Sequence, residues 1–321
     1  MTAETRTILV LGATGTIGRA TTAALVLGGH RVICPVRRIA PDLPDSAEQP
    51  QCDVTDRTAL AALIAQTGRV DAIVSCLASR SGAPQDAWAI DHDAHVSALE
   101  LAEDAGVSTF VLLSAICVQR PELAFQKAKL AFENRLMASR LTWSIVRPTA
   151  YFKSLSGQIA RVRDGKPFLV FGDGRLTACK PISDRDLGRY MADCVSRVDR
   201  RNRVLPIGGP GPAITPLDQA EMLFDLLGAP QRLRHVPVAM MNAIIGGLRV
   251  GGALSPRLRA KADLARIGRY YATQSMLVWD AQAARYDAEA TPSFGTDTLR
   301  DHYAAVLRGE AEVDLGEHAV F

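Results

Sequence analysis

The sequence predicts an α/β protein built on a doubly wound parallel sheet, with a smaller mixed portion towards the C-terminal end. Three observations carry that reading. An apolar run, Ile8-Leu9-Val10-Leu11, feeds directly into three glycines at three-residue spacing, Gly12, Gly15 and Gly18. The residues that follow, RATTAALVLGG, read as a helix. Strands that are apolar on both faces then alternate with helices as far as residue 147, the pattern of a parallel sheet covered on both sides.

Taken in order, HRVICPVRR places Val32, Ile33 and Val36 in a second strand. Gln51-Cys52-Asp53 reads as a short third strand and DAIVSCLAS (71–79) as a fourth. A helix around 85–105 precedes STFVLLSA (108–115), and a helix over 121–139 precedes LTWSIVRP (141–148). Beyond 150 the pattern is mixed. KPFLVFGDGRLTACKPIS reads as two short strands around Gly172-Asp173-Gly174. Helices are expected at 183–197, opened by Ser183, and at 215–228, opened by Thr215 with Pro216 behind it. RVLPIGG between them reads as a strand. Residues 237–268 look helical, broken at Gly246-Gly247 and Gly251-Gly252; MLVWD (276–280) suits a late strand and 296–308 a last helix.

A strand, a glycine turn and a helix at the start of the chain place backbone N–H groups and a positive helix end around a pyrophosphate, a dinucleotide-binding or Rossmann arrangement. The loop Gly12-Ala13-Thr14-Gly15-Thr16-Ile17-Gly18 is therefore the expected phosphate site. Gly12 permits the tight turn, Gly15 the approach of phosphate, and Gly18 close helix packing. Arg37 and Arg38 end the second strand where a carboxylate would hold a free ribose hydroxyl. Arginines there suit a 2′-phosphate and so NADPH, although two solvated surface charges would look the same. Asp53-Val54 falls where the adenine would lie, but Asp53 would serve equally as a helix cap. Cys76-Leu77-Ala78 should pass the cofactor ribose. The strand ends collect these motifs with Ser114 and the stretch 147–153, so one crevice is expected to hold them all. The expected division is 1–150 as the NADP-binding domain. Residues 151–321 form a substrate-binding lid portion packed on it, with some elements returning to the main sheet.

At 321 residues with 48% apolar and 22% charged side chains, the chain is an ordinary globular one. A net charge of +3 without a basic, aromatic-interleaved run argues against nucleic acid. Six scattered cysteines with no C-x-x-C pair, and no signal peptide, point to reduced thiols in the cytoplasm and to no structural zinc. PVAMMNAIIGGL is too short to span a bilayer; a core helix, an apolar lid and peripheral contact with a membrane surface all stay open. No self-complementary surface specifies an oligomer.

The G-x-x-G-x-x-G spacing resembles that of extended and atypical short-chain dehydrogenases/reductases. Alcohol-oxidising members carry Tyr-x-x-x-Lys on the helix after the fifth strand, one helical turn bringing both side chains to one face. Here the segment is FQKAK: Phe125 occupies the tyrosine position and Lys129 the lysine. Phe125 exchanges no proton, so the standard alcohol chemistry is excluded. Lys129 remains available to hold the nicotinamide ribose, or is a solvated helix lysine. The segments STFVLLSAICVQRPELAFQKAKLAFE, SIVRPTAYFKSLSGQ and DGKPFLVFGDGRLTACKPIS are similar to those of divinyl chlorophyllide or protochlorophyllide 8-vinyl reductases, densest over 108–186. That resemblance implies NADPH-dependent reduction of a vinyl group on a magnesium tetrapyrrole to ethyl, in chlorophyll or bacteriochlorophyll synthesis. It also suits Phe125, because an alkene offers no hydroxyl to a tyrosine.

Such a reaction needs an acid, for which Lys129, Tyr151 and Lys180 are candidates. Tyr151 follows Arg147-Pro148, where the family's chain turns over the nicotinamide. Phe125, Lys153, Phe171 and Lys180 are candidate substrate contacts, with Arg175 as a further partner for a propionate and Phe168 and Met240-Met241 as further apolar wall. His92, His95 and His235 are available as axial ligands to the substrate's magnesium. Ser114 positions the nicotinamide amide or simply ends its strand. Other readings are a silent NADP(H) sensor, an isoflavone-reductase-like alkene reductase, and a scaffold subunit like that of respiratory complex I.

Overall fold

The computed structural model describes residues 5–252 and 255–311. In chain order its elements are β1 (Thr7–Leu11), α1 (Thr16–Leu27), β2 (Arg31–Ile33), α2 (Arg57–Thr67), β3 (Ala72–Ser75), α3 (Pro84–Ala87), α4 (His95–Asp104), β4 (Thr109–Leu113), α5 (Ala124–Met137), β5 (Thr142–Pro148), α6 (Phe152–Leu155) and α7 (Ile159–Arg163). There follow β6 (Phe168–Phe171), α8 (Asp184–Asp193), β7 (Arg203–Ile207), α9 (Pro216–Leu226), β8 (Leu233–Val236), α10 (Val238–Gly252), α11 (Pro256–Thr273), β9 (Val278–Asp280), β10 (Arg285–Asp287) and α12 (Leu299–Leu307). A π-helical turn, Trp88–Ala94, joins α3 to α4.

The chain divides into two compact units. Unit 1 takes residues 1–79, 84–148 and 184–207; unit 2 takes 80–83, 149–183 and 208–321. Unit 1 carries a six-stranded sheet in the order β2-β1-β3-β4-β5-β7, every neighbouring pair parallel. The apolar strands explain this: β1 and β3 bury Ile8, Leu9, Val10, Ile73 and Val74 completely, and only a sheet covered on both faces does that. Leu9, Ile73, Phe110, Phe132 and Ile145 form its core with Leu60, Leu99 and Leu136 from the covering helices. The strand order reverses at β1 and β3, the place where such sheets open a crevice. α8 lies on α1 through Gly188, where an added Cβ would come within 2.5 Å of Ala20 backbone.

In unit 2 the core gathers Phe152, Ile159, Phe168, Val170, Leu223, Phe224, Leu299 and Tyr303. Three expectations need correction. The third strand at 51–53 is not a strand: residues 48 and 51 make isolated parallel bridges to Ile33 and Val36, because Pro50 interrupts the ladder that a strand requires. KPFLVFGDGRLTACKPIS does not hold two strands around its glycine turn either, only β6 before it. β6 pairs in parallel with β8, a strand absent from the sequence reading, while Cys179 makes only isolated bridges to Ile214 and Met276. Gly246-Gly247 does not break a helix; both lie inside α10, and the interruption comes after Gly252. The late strand is Val278–Asp280, paired antiparallel with β10.

Candidate active site

β1 delivers the chain into Gly12 at φ +75°, a left-handed turn that suits glycine. A Cβ on Gly12 would sit 2.7 Å from the Leu77 amide nitrogen, so the glycine turn and the loop after β3 are in direct apposition. Gly18 is tighter still: its Cβ would fall 2.1 Å from the Gly12 carbonyl oxygen. Gly15 meets only that same oxygen at 3.5 Å and is exposed, as is Thr14, while Ala13 and Ile17 turn inwards. Gly15 caps α1 with no side chain, and the first turn of α1, starting at Thr16, holds no carboxylate. An uncapped helix start without a carboxylate, beside an open glycine, fits a phosphate group.

Arg37 and Arg38 are exposed beyond β2 and make no ion pair among the described residues. Asp53 does not cap a helix. Its Oδ1 accepts from Thr55 N at 3.0 Å and Thr55 Oγ1 at 2.7 Å, which lowers its pKa, and the cap of α2 is Asp56, bonded to Thr58 N and Ala59 N. Val54 and Leu77 are half-buried against the core, and Cys76 and Ala78 line the same loop ends.

α5 presents Phe125 and Lys129 one turn apart, as the spacing requires. Phe125 is 9% exposed, so little of its ring is open. Lys129 Nζ stands 2.9 Å from Oδ1 of Asp91, a carboxylate wholly buried in the π-helical turn. Ser79 donates to Asp91 twice, from Oγ to Oδ2 at 2.6 Å and from N to Oδ1 at 3.2 Å. Burial works against the Asp91 charge, but the Lys129 ammonium and these bonds hold its carboxyl below the usual range. Lys129 is thus held in a largely buried ion pair rather than solvated, and π-turns of this kind gather at functional sites.

Beside it, His95 is fully buried and neutral; burial and the nearby Lys129 charge push it down to about 4. Its Nδ1 lies 2.9 Å from the Ile90 carbonyl, which only accepts, so Nδ1 carries the proton and Nε2 accepts from Ser75 Oγ at 2.8 Å. Both nitrogens being used, His95 has no lone pair for magnesium, which corrects that expectation. His92 pairs with Asp93, and His235 Nδ1 lies 2.8 Å from the Gly172 carbonyl. Among the described residues no group of three or more His, Cys, Asp or Glu could hold a metal, and all six cysteines are free.

The His95 environment has a consequence for stability. The unfolded histidine takes its proton near pH 6.5 and the folded one near 4, so acidification through that window favours the unfolded chain. Between pH 7.5 and 5 this removes about 2 kcal/mol of unfolding free energy. Urea unfolding at the two pH values should show that loss, and His95→Gln should flatten it whatever the variant's absolute stability. An unchanged pH slope in the variant would place the titration elsewhere.

At the end of β4, Ser114 donates its hydroxyl to Glu133, a fully buried carboxylate one turn beyond Lys129 on α5. Arg147 near the end of β5 grips the same carboxylate through both Nε, at 3.2 Å, and Nη2. Buried Pro148 follows. Sequence reasoning missed Asp91 and Glu133 altogether. Glu133 sits four residues after Lys129, a spacing that marks a shared helical face, whereas nothing local marks Asp91.

In unit 2, Tyr151 caps α6 and makes a bridge to Ile182, Lys153 lies in the first turn of that helix, and Phe171 is half-buried at the end of β6. The Lys180 ammonium donates to the Thr291 carbonyl at 2.9 Å and to Ser293 Oγ at 3.4 Å, so two of its three N–H groups tie down a loop of its own unit.

Comparison with known proteins gives this geometry its family. Residues 12–197 match the family described as NAD(P)H-binding. The divinyl chlorophyllide a 8-vinyl-reductase of Zea mays, a chloroplastic protein, is 48% identical to the chain over 99% of it and 84% of the relative. The chain belongs to the divinyl chlorophyllide a 8-vinyl-reductase family. The Arabidopsis thaliana member is 46% identical, over 97% of this chain and 79% of its own length. Family members are oxidoreductases, and an NAD(P)H-binding Rossmann sheet is the equipment such chemistry needs. In fold, the chain is similar to an epimerase of Methanothermobacter thermautotrophicus, with TM-score 0.67, 16% identity and coverage of 96% of this chain and 94% of that one. No helix among the described residues is long and apolar enough to cross a membrane.

Proposed function

We propose that this protein reduces the 8-vinyl group of divinyl chlorophyllide or protochlorophyllide to ethyl with NADPH, in chlorophyll or bacteriochlorophyll biosynthesis. The observation that carries the proposal is Phe125 in place of a proton-exchanging tyrosine, one turn from a lysine that is kept and locked to a buried aspartate, in a chain of this family. The cofactor, when bound, supplies the hydride. Gly12 to Gly18 hold its pyrophosphate, Arg37 and Arg38 its 2′-phosphate, Asp53 and Val54 flank the adenine, and Cys76, Leu77 and Ala78 give way to the ribose. Lys129, with one N–H on Asp91, turns the others to the nicotinamide ribose. Ser114 donates its hydroxyl hydrogen bond to Glu133 and keeps its oxygen lone pairs for the carboxamide N–H.

The proton that completes the ethyl group comes from an acid beside the substrate. We assign it to Tyr151 or to Lys129. Lys180 is a weaker candidate because two of its N–H groups are engaged within its own unit. Phe125, Lys153 and Phe171 are proposed substrate contacts, the lysine suited to a propionate.

The decisive experiment is anaerobic incubation of the purified protein with NADPH and divinyl chlorophyllide. A blue shift of the Soret band that needs NADPH, with monovinyl product by chromatography, is the expected result. Cofactor binding with no shift would favour the NADP(H)-sensor reading. Cofactor choice is tested separately. Arg37→Ala with Arg38→Ala should raise the KM for NADPH about 10- to 1,000-fold, as the loss of one or two charge-assisted bonds of roughly 1.5–3 kcal/mol each implies, and leave that for NADH nearly unchanged. An equal effect on both would remove the 2′-phosphate from these arginines.

A further inference from the structure

Helices α10 and α11 of unit 2 form a hairpin whose surface the proposed reaction does not use. Five of the eleven exposed large apolar side chains among the described residues lie on it: Met240, Ile244, Val250, Leu264 and Tyr271. On α10 the residues Met240, Ala243, Ile244, Gly247 and Val250 are all exposed and fall within one arc of about 120°, given 3.6 residues per turn. Ile245 and Gly252, on the opposite side, are buried. α10 therefore turns an uncharged, apolar stripe to the outside, the reverse of a surface helix on a soluble core.

The same hairpin concentrates positive charge. Residues 238–273 hold Arg249, Arg257, Arg259, Lys261, Arg266 and Arg269 against Asp263 alone, although the whole chain carries only +3. Arg249, Arg259 and Arg266 line a cavity of about 300 Å³ between the two helices. Its one carboxylate, Asp263, stands 3.9 Å from Arg266. Arg259 donates to the Gly252 carbonyl, and Arg249 makes no ion pair among the described residues. Three guanidiniums with so little neutralisation around one hollow want an anion, and a phosphate matches their planar donors.

We propose that the α10–α11 hairpin docks this protein on an anionic lipid bilayer, the α10 stripe entering the interface and a headgroup phosphate filling the Arg249–Arg259–Arg266 cavity. The two features require one another in that setting: apolar surface at acyl depth and guanidiniums at phosphate level. A second copy of the chain is a poor occupant, since it would bring the same six cations to the face. Fifteen residues of α10 extend about 22 Å, short of a bilayer core of about 30 Å, so the helix lies in the surface and does not cross it.

The test is co-sedimentation of the full chain with phosphatidylglycerol vesicles, with phosphatidylcholine vesicles and with neither, at 0.1 and 0.5 M salt. At least 10-fold greater partition onto phosphatidylglycerol, weakened by salt, is expected. Ile244→Glu with Val250→Glu should abolish it. Arg249→Gln with Arg259→Gln and Arg266→Gln should reduce it several-fold while circular dichroism and melting stay as in the parent. Equal partition onto both lipids, or none, overturns the proposal. So does titration showing that inorganic phosphate fills the cavity while vesicles do not bind. A dimer in light scattering that Ile244→Glu dissociates would assign the face to a second copy instead. None of these outcomes depends on the vinyl reduction being observed.

Discussion

Asp91→Asn is expected to lower the unfolding free energy by about 3 kcal/mol and to reduce kcat/KM for vinyl reduction at least 10-fold. Asp91 is fully buried, the Lys129 side chain is 11% exposed, and their charged atoms stand 2.9 Å apart. Removing one member of such a pair leaves the other charge uncompensated away from water, which costs about 3–5 kcal/mol. Asparagine keeps an oxygen for Ser79, so the loss falls mainly on the lysine. Lys129 then loses the partner that fixes its position, which loosens its proposed hold on the cofactor.

The double variant Asp91→Asn with Lys129→Met separates the two effects. With no buried charge left, stability should return to within about 1 kcal/mol of the parent, whereas activity should stay at least 100-fold down. Urea unfolding and single-turnover kinetics on the parent and these two variants read this directly. If Asp91→Asn melts with the parent, the pair is not the anchor the distance implies.

Glu133→Gln should be comparably severe. Glu133 is fully buried and receives Ser114 and both arms of Arg147, whose side chain is 18% exposed. The amide cannot accept from all three, and the guanidinium is left without its counter-charge. A loss of about 3 kcal/mol follows, seen as a fall of at least about 5 °C in Tm. Arg147→Lys should fail to substitute, because one ammonium cannot replace the two-armed grip. If instead Glu133→Gln keeps its Tm and only the KM for NADPH rises, the carboxylate serves Ser114 and not the packing of β5 on α5.

These two clusters are also where reading the sequence stopped short. The glycine turn was legible because its causes are local. A left-handed φ at Gly12 and the missing Cβ of Gly18 belong to residues within one short loop, and the apolar run before them specifies a buried strand by itself. The parallel sheet followed from strand composition, and Phe125 and Lys129 from a one-turn spacing. What the tertiary structure decided depends on residues remote in sequence. Asp91 reaches Lys129 only because a π-turn before α4 packs against α5; nothing in DHDAH distinguishes it from a solvated acid. His95 looked like an available ligand until burial and its two hydrogen bonds showed both nitrogens spent. The turn glycines after β6 are visible in the sequence and suggest a second strand just beyond them, whereas the partner β8 is four residues long and carries polar, exposed Arg234 and His235 between two apolar ends, with no strand signature. Long-range register leaves no local mark, and burial of a charge is a property of the packed chain. Periodicity and glycine spacing therefore determined the frame of this protein, and tertiary packing chose which of its charges are held at the site.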